Sequence, residues 1–379
     1  MKSAKYLLVL NIPPPFGGGE IRAEILFNYF KENSTFNIIT NVNESNTKAT
    51  QGKITLKNIL HNTLSQCNIA YSIIKKRPKV VYISIPKDIV PLNKILPIIF
   101  ACKLRNTKLL GELAGSHFYF LKRNKFIQYW GKSILAQFYE IRLLGNRIKK
   151  DLAAHGITNT IVFDNGTDVP DLIERWPKKL NGDKISIVFI GALHKAKGIF
   201  ILLEIVKLLV DEGIDFILNV VGEWGNEIDK KQAQYLISKN RLGAFINFHG
   251  LQKGVKKWEI LNSSHFYVFP SLNEGQPVSI IEALSVGIPI ISSSVGAIPD
   301  TIEDNINGYI INDFDANKYV AKIIALINDP KNYHRISQNN IETYQNRYTV
   351  EKYCNSVENW IKDTYITCNN SPKNSAPAK

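Results

Sequence analysis

The stretch HFYVFPSLNEGQPVSIIEALSVGIPIISS, residues 265–293, decides the fold class. HFYVFP (265–270) reads as a strand, because aromatic and β-branched residues follow one another without polar alternation. NEGQ (273–276) is a turn, and Pro277 suits the first turn of a helix. Residues 278–286 carry a short helical pattern, Gly287 stands past its end, and IPIISS (288–293) is a second apolar strand. Strand, helix and strand of this kind make a βαβ unit, whose parallel strands are covered on both faces.

The same alternation extends in both directions. Toward the N-terminus, strands are expected at 5–10, 36–40, 79–84, 107–113 and 159–164, with helical stretches near 56–75, 91–105 and 125–155 and one starting at about Glu20. The second half repeats the plan with strands at 185–191, 215–222, 244–250, 265–270, 288–293 and 308–312. Helices are expected between them at 198–211, 226–240, 254–262, 277–286 and 315–328. Two successive sets imply an α/β protein with two Rossmann-like, doubly wound parallel-sheet domains. A chain of 379 residues agrees, at ~150 residues per domain. The expected bounds are 1–175 and 183–346, joined through the polar segment RWPKKLNGDK (175–184). A C-terminal helical segment over 347–366 and a polar, disordered tail over 367–379 complete the chain.

Apolar content of 45% and charged content of 21% are ordinary for a soluble globular protein. The four cysteines are scattered and form no metal-like cluster, which reads as free thiols in a reducing compartment. The N-terminus has only five consecutive apolar residues before Asn11, short of a secretory signal. The most membrane-like run, IVPLNKILPIIFAC (89–102), is interrupted by Pro91, Lys94 and Pro97 and reads as a buried or half-buried helix. Charge is uneven: residues 1–180 hold 27 Lys and Arg against 12 Asp and Glu, and the remainder 20 against 21. The first half is therefore expected to face something anionic: nucleic acid, a membrane surface or a phosphorylated acceptor.

Ligands of open parallel sheets bind beyond the carboxyl ends of the strands, so the site is expected in loops there, in the cleft between the two domains. Three loops stand out. NIPPPFGGGE follows the first strand, and its bare Gly18 and Gly19 let a ligand approach the backbone at a helix start. It lacks the GxGxxG dinucleotide fingerprint, which argues against a dinucleotide oxidoreductase. VFIGALHKAKG (188–198) places Lys197 just before a helix, where its ammonium can meet a phosphate. In the opening stretch Glu274 and Glu282 have seven residues between them. Glu282 lies in an apolar helix that offers no basic partner, and a glutamate is rarely buried alone. The reading is that Glu282 awaits a ligand with hydroxyl groups, that Glu274 accepts from a second set, and that the amides of Gly275 and Gln276 hold a phosphate between them. Such a ligand is a nucleotide-sugar. The plain alternative is a Glu282 that caps local backbone or pairs with a distant lysine.

With these residues in place, the chain resembles the retaining glycosyltransferases of family 4, known as group 1, which have the GT-B fold. The resemblance runs over nearly the whole chain and is strongest from FIGALHKAKG to INGYIIN; VFDNGTDV (162–169) is similar to the segment that ends the first domain. It implies two domains facing across a cleft, with the C-terminal helix crossing back to the first. It implies that Glu282 takes ribose hydroxyls, Glu274 hydroxyls of the transferred sugar, and Lys197 the diphosphate. Gly191, Lys195, Pro277 and Val278 join the donor site, and Gly18 and Gly19 face the diphosphate or acceptor. Neither a metal nor a cofactor is implied. Ala192 stands where the family commonly has arginine, with Lys195 or His194 as substitutes. GELAGSHF puts Glu112 and Ala114 at histidine positions of the family; His117 and Glu112 become candidates on the acceptor side. The basic, aromatic segment HFYFLKRNKFIQYWGK (117–132) is expected on an anionic membrane, meeting a glycan or polyprenyl-linked acceptor, with no role for nucleic acid. The implied product is a surface polysaccharide made on the cytoplasmic side. A nucleotide-sugar epimerase and a non-catalytic scaffold of the same fold are the alternatives.

Overall fold

The computed structural model describes residues 5–13, 17–42, 56–175, 177–180 and 184–370. Residues 14–16 of the glycine loop, 181–183 of the expected junction and the tail from 371 lie outside this set. The chain divides into two compact units: Met1–Phe163 with Glu351–Lys379, and Asp164–Val350.

The first unit holds six strands: β1 (Tyr6–Ile12), β2 (Phe36–Val42), β3 (Val80–Ser84), β4 (Lys108–Glu112), β5 (Glu140–Leu143) and β6 (Thr160–Val162). Their order is β2-β1-β3-β4-β5-β6, and every pairing is parallel. The helices between them are α1 (Gly18–Phe30), α2 (Leu56–Lys76), α3 (Ile89–Asn93), α4 (Leu96–Leu104), α5 (Lys125–Leu135) and α6 (Asn146–Ala154).

The second unit repeats the plan with β7 (Ile185–Ile190), β8 (Phe216–Val221), β9 (Ile246–Gly250), β10 (Phe266–Phe269), β11 (Ile290–Ser293) and β12 (Gly308–Ile311). The order is β12-β11-β10-β7-β8-β9, again parallel throughout. Its helices are α7 (Ile199–Asp211), α8 (Glu227–Lys239), α9 (Gly254–Asn262), α10 (Val278–Ser285), α11 (Ile298–Thr301), α12 (Ala316–Ile327) and α13 (Pro330–Arg347). All four side chains of β10 are buried, as expected of a strand without polar alternation at the centre of a covered sheet. Each fully buried Phe, Val or Ile contributes about 1.5–3 kcal/mol relative to exposure, which is what drives this sheet to close.

The last helix, α14 (Val350–Asn370), belongs to the first unit. Trp360 Nε1 donates to Glu140 Oε2 at 2.6 Å, and Tyr29 donates to Asn355 Oδ1 at 2.8 Å and Glu358 Oε2 at 3.0 Å. Residues 367–370, expected as part of the disordered tail, instead continue α14.

Two further differences from the sequence reading have physical causes. The helical stretch expected over 125–155 is broken by β5, a strand disguised by Arg142 at its centre. That arginine is fully buried because Glu112, on the neighbouring β4, neutralises it at 3.2 Å. The units part at 163/164 and 350/351, where bounds of 175 and 347 were expected. Residues 164–167 are held within the second unit: Thr167 N–H donates to Tyr348 O at 3.0 Å and Tyr344 Oη to Thr167 O at 3.0 Å.

Candidate active site

In the second unit the strand order reverses between β7 and β10, and open α/β sheets take ligands beyond the strand ends at such a point. The loops leaving these two strands carry the charged residues. The Lys197 ammonium forms an ion pair with Glu274 Oε1, and Ser271 Oγ donates to the same oxygen at 2.9 Å. Gly198 makes this meeting possible. Its φ of +79° is left-handed, and a Cβ there would strike the carbonyl of Pro270 at the end of β10. Lys195 has an exposed side chain, and its backbone N–H donates to Asp229 Oδ2 at 2.8 Å, which pins the loop to α8. That bond, with one from Asn226, lowers the Asp229 pKa. Gly191 ends the sheet with an N–H bond of 3.0 Å to Val221 O. A Cβ at Gly191 would meet only ordinary contacts, at 3.4 Å or more.

Glu274 and Glu282 are both buried, at 8% and 6% exposure. The expectation that Glu282 lacks a basic partner is overturned: Lys257 on α9 reaches it, Nζ to Oε1 2.6 Å. Helix periodicity along α10 does not reveal a cation supplied by another helix. The two glutamates are thus arranged alike. Each gives one oxygen to a lysine, and among the described residues no hydrogen bond reaches the other oxygen of either.

Between them lies the start of α10. Pro277 is the capping residue, with φ −67° and ψ 121°, and Val278 is the first helical residue. The first amides of a helix have no intrahelical partner. Gly275 and Gln276 likewise donate to no protein acceptor among the described residues, while Gly275 O accepts from Ala297 N–H at 2.8 Å. The turn therefore presents open N–H groups and the positive end of a helix. The Gln276 side chain is committed elsewhere. Its Oε1 accepts from Asn165 N–H at 2.6 Å, and its Nε2 donates to Asp164 Oδ1 at 2.7 Å and Thr301 Oγ1 at 3.2 Å. Gln276 is a strut for residues 164–165, so its site role reduces to its backbone.

The first-unit candidates form a separate group. Gly18 opens α1 with nothing within 4 Å of a Cβ built on it, and Gly19 lies 4.0 Å by the same measure from Ala114, in the loop after β4. The expected acceptor contact by Glu112 is corrected. Its Oε1 accepts from Arg22 Nη2 at 2.7 Å and Nε at 3.1 Å and pairs with Arg142; its Oε2 accepts from Tyr82. Burial alone would raise its pKa, but the two arginines and the tyrosine outweigh it and hold the carboxyl at about 2. Glu112 is thus a buried structural anion. His117 is half-buried in the same loop, with Ser116 Oγ 2.7 Å from Nδ1 and its ring edge-on to Tyr119. Burial, then Lys122 and Lys87, lower its pKa.

Sequence reasoning missed Lys257, Ser271 and Asp229. The search for a cation on α10 alone could have been extended to LQKGVKKWEI, the segment leaving β9, which carries three lysines near the same sheet end. Among the described residues no group of three or more His, Cys, Asp or Glu converges on a metal position. A depression of about 620 Å³ lies between residues 299–307 and α13, and neither the glutamates nor their lysines line it.

Residues 171–343, nearly the whole of the second unit, match the family model described as glycosyl transferases group 1. The two doubly wound units give the chain the GT-B fold. The chain is 27% identical over 209 residues to the capsular polysaccharide biosynthesis glycosyltransferase CapM of Staphylococcus aureus, covering 55% of this chain and 54% of that one. It is 24% identical over 157 residues to the putative colanic acid biosynthesis glycosyltransferase WcaL of Escherichia coli, covering 39% and 37%. The matches thus span about half or less of these relatives' own lengths. The fold is similar to that of Anabaena Alr3699/HepE, solved in complex with UDP-glucose, at TM-score 0.71 and 13% identity, over 94% of this chain and 99% of that one.

Proposed function

We propose that this protein is a retaining glycosyltransferase. It moves a hexose-type sugar from a nucleotide-diphosphate sugar to a hydroxyl of a glycan or lipid-linked acceptor, in the assembly of a surface polysaccharide. The observation that carries the reading is the pair of buried glutamates, each with one oxygen on a lysine and one unspent, on either side of open amides at a helix start. The unspent oxygen of Glu282 suits the ribose hydroxyls and that of Glu274 the hydroxyls of the sugar. The diphosphate lies against the Gly275 and Gln276 amides and the α10 dipole. Lys197, whose ammonium has three donors, serves both Glu274 and the phosphate. As the glycosidic bond to phosphate breaks, charge develops on the leaving oxygen, and these fixed donors stabilise it without a resident metal. The acceptor oxygen bonds to the anomeric carbon on the face the phosphate leaves, and its proton passes to the departing phosphate. UDP-sugars are the first donors to try, since HepE was solved with UDP-glucose. The surface-polysaccharide role rests on the names of CapM and WcaL. Cys67, Cys102 and Cys354 are free thiols, in keeping with work on the cytoplasmic side. The basic first unit is the side we assign to the acceptor.

The test is calorimetric binding of UDP and UDP-sugars to the full chain and to Glu282→Gln. Binding that falls at least tenfold in the variant, with the melting curve retained, is expected. Equal affinity in both proteins removes Glu282 from the site, and no binding to any nucleotide sugar in either leaves a scaffold of this fold.

A further inference from the structure

The run 89–102, read from sequence as buried or half-buried, has an outward face that the core does not explain. On α4 the buried residues are Ile98, Ile99, Ala101 and Cys102, while Leu96, Phe100 and Leu104 repeat every fourth position on the exposed side, with Phe100 at 68% exposure. Val90 of α3 is exposed as well. On α5, Phe126 at 77%, Tyr129 and Trp130 are all exposed. Trp130 Nε1 donates to Asn93 Oδ1 at 2.8 Å, which sets α5 beside α3, and α4 continues directly from α3. By contrast Phe118, Phe120 and Leu121, part of the segment expected on a surface, are core residues. The apolar face is thus built by three helices rather than by one segment.

Its charge is one-sided. Residues 86–135 contain nine Lys and Arg and two acids, Asp88 and Glu112, and Glu112 is buried and neutralised by arginine. Lys103, Lys122, Arg123 and Lys125 are exposed around the apolar side chains. Leu and Phe beside Trp and Tyr, ringed by long cationic side chains, is the composition of a helix face that lies in a bilayer interface. The positive balance selects anionic lipid over a neutral surface. Among the described residues no helix is long and apolar enough to cross a membrane, so the contact is one of lying on the surface.

We infer that α3, α4 and α5 form a docking face for an anionic membrane, with Phe100, Phe126 and Trp130 entering the interface and Lys122, Arg123 and Lys125 meeting headgroups. This inference does not depend on the donor site.

The test is sedimentation of the full chain with phosphatidylcholine vesicles, with and without phosphatidylglycerol, alongside Trp130 fluorescence. Binding only to the anionic vesicles, weakened by salt and accompanied by a blue shift that Trp130→Phe abolishes, is expected. Each basic residue at an anionic surface is worth roughly fivefold in affinity, so replacing Lys122, Arg123 and Lys125 by Gln should cost about a hundredfold. Phe100→Ser with Phe126→Ser, at exposed positions that leave the melting curve intact, should weaken binding at high salt most. The inference is overturned by equal binding to neutral and anionic vesicles, by no binding to either, or by a self-associated protein that the Phe double variant turns monomeric.

Discussion

Glu112→Gln separates a structural anion from a substrate contact. In the wild type three nitrogen-to-oxygen contacts of 2.7–3.2 Å from Arg22 and Arg142 converge on one carboxylate oxygen, and Tyr82 takes the other. A carboxyl held at about 2 against an ordinary 4.5 contributes about 3 kcal/mol of stability at neutral pH. The group is buried, so solvent does not screen this away. Direct removal of one member of a buried ion cluster gives a similar figure, about 3–5 kcal/mol, because the guanidinium groups stay behind without their counter-charge. The sign with pH follows from the lowered folded value. The contribution is fully present above about 4.5 and is lost as pH falls toward about 2. With two units in the chain, a single melting temperature mixes them. Amide hydrogen exchange of peptides from β3, β4 and β5 reads the first unit alone. Glu112→Gln should speed their exchange on the order of a hundredfold at neutral pH, by about 3 kcal/mol. Peptides of β7 and β10 should not change, and the difference from wild type should shrink as pH is lowered below 4.5. Unchanged exchange in β3–β5 with lost sugar transfer would refute the structural assignment and return Glu112 to the acceptor side.

Three further outcomes follow from single contacts. Gly198→Ala should lower urea stability of the second unit by more than about 2 kcal/mol, because left-handed backbone strain adds to a clash with the Pro270 carbonyl; Gly18→Ala, with open space around it, should leave amide exchange of the first unit, to which it belongs, nearly unchanged. Lys257→Met leaves the buried Glu282 without its cation and should cost about 2–4 kcal/mol by denaturation, with the double variant Lys257→Met, Glu282→Leu recovering much of that loss. Burial lowers the Lys178 pKa to about 8, so the folded state disfavours its charge. Second-unit stability should rise between about pH 8 and 10.5, and Lys178→Met should flatten that rise in pH-dependent denaturation.

The sheets were legible in the sequence because burial on both faces leaves strands with no polar alternation. Every expected strand of the second half appears, and the helix expected at 254–262 is α9 to the residue. The miss at β5 has one cause. A strand with arginine at its centre violates the pattern, and the groups that satisfy it, Glu112 30 residues earlier and the Phe163 carbonyl 21 residues later, lie on other elements. The same limit acts at the site. The sequence identified Glu282 as a buried carboxylate in need of a partner, which local spacing can establish. It did not identify Lys257, since a cation 25 residues away is supplied by a side chain reaching over from α9 rather than by any periodicity of α10.

Lys257 also changes what the buried carboxylate means. A glutamate without any protein partner would have to wait for ligand at a cost of several kcal/mol, and such a site would be protonated or unfolded in the absence of donor. A lysine on one oxygen removes most of that cost and leaves the second oxygen directed by the pair. Glu274 uses the same device through Lys197. Two lysines, one on α9 and one in the loop after β7, therefore hold two carboxylates ready, each half satisfied, so that on this reading donor binding adds hydrogen bonds without first having to break a buried ion pair. On this account Lys257→Met should weaken nucleotide binding less than Glu282→Gln does, because the lysine prepares the carboxylate while the carboxylate makes the contact. The reverse order in calorimetry would mean that the lysine itself meets the ligand and that Glu282 only supports it.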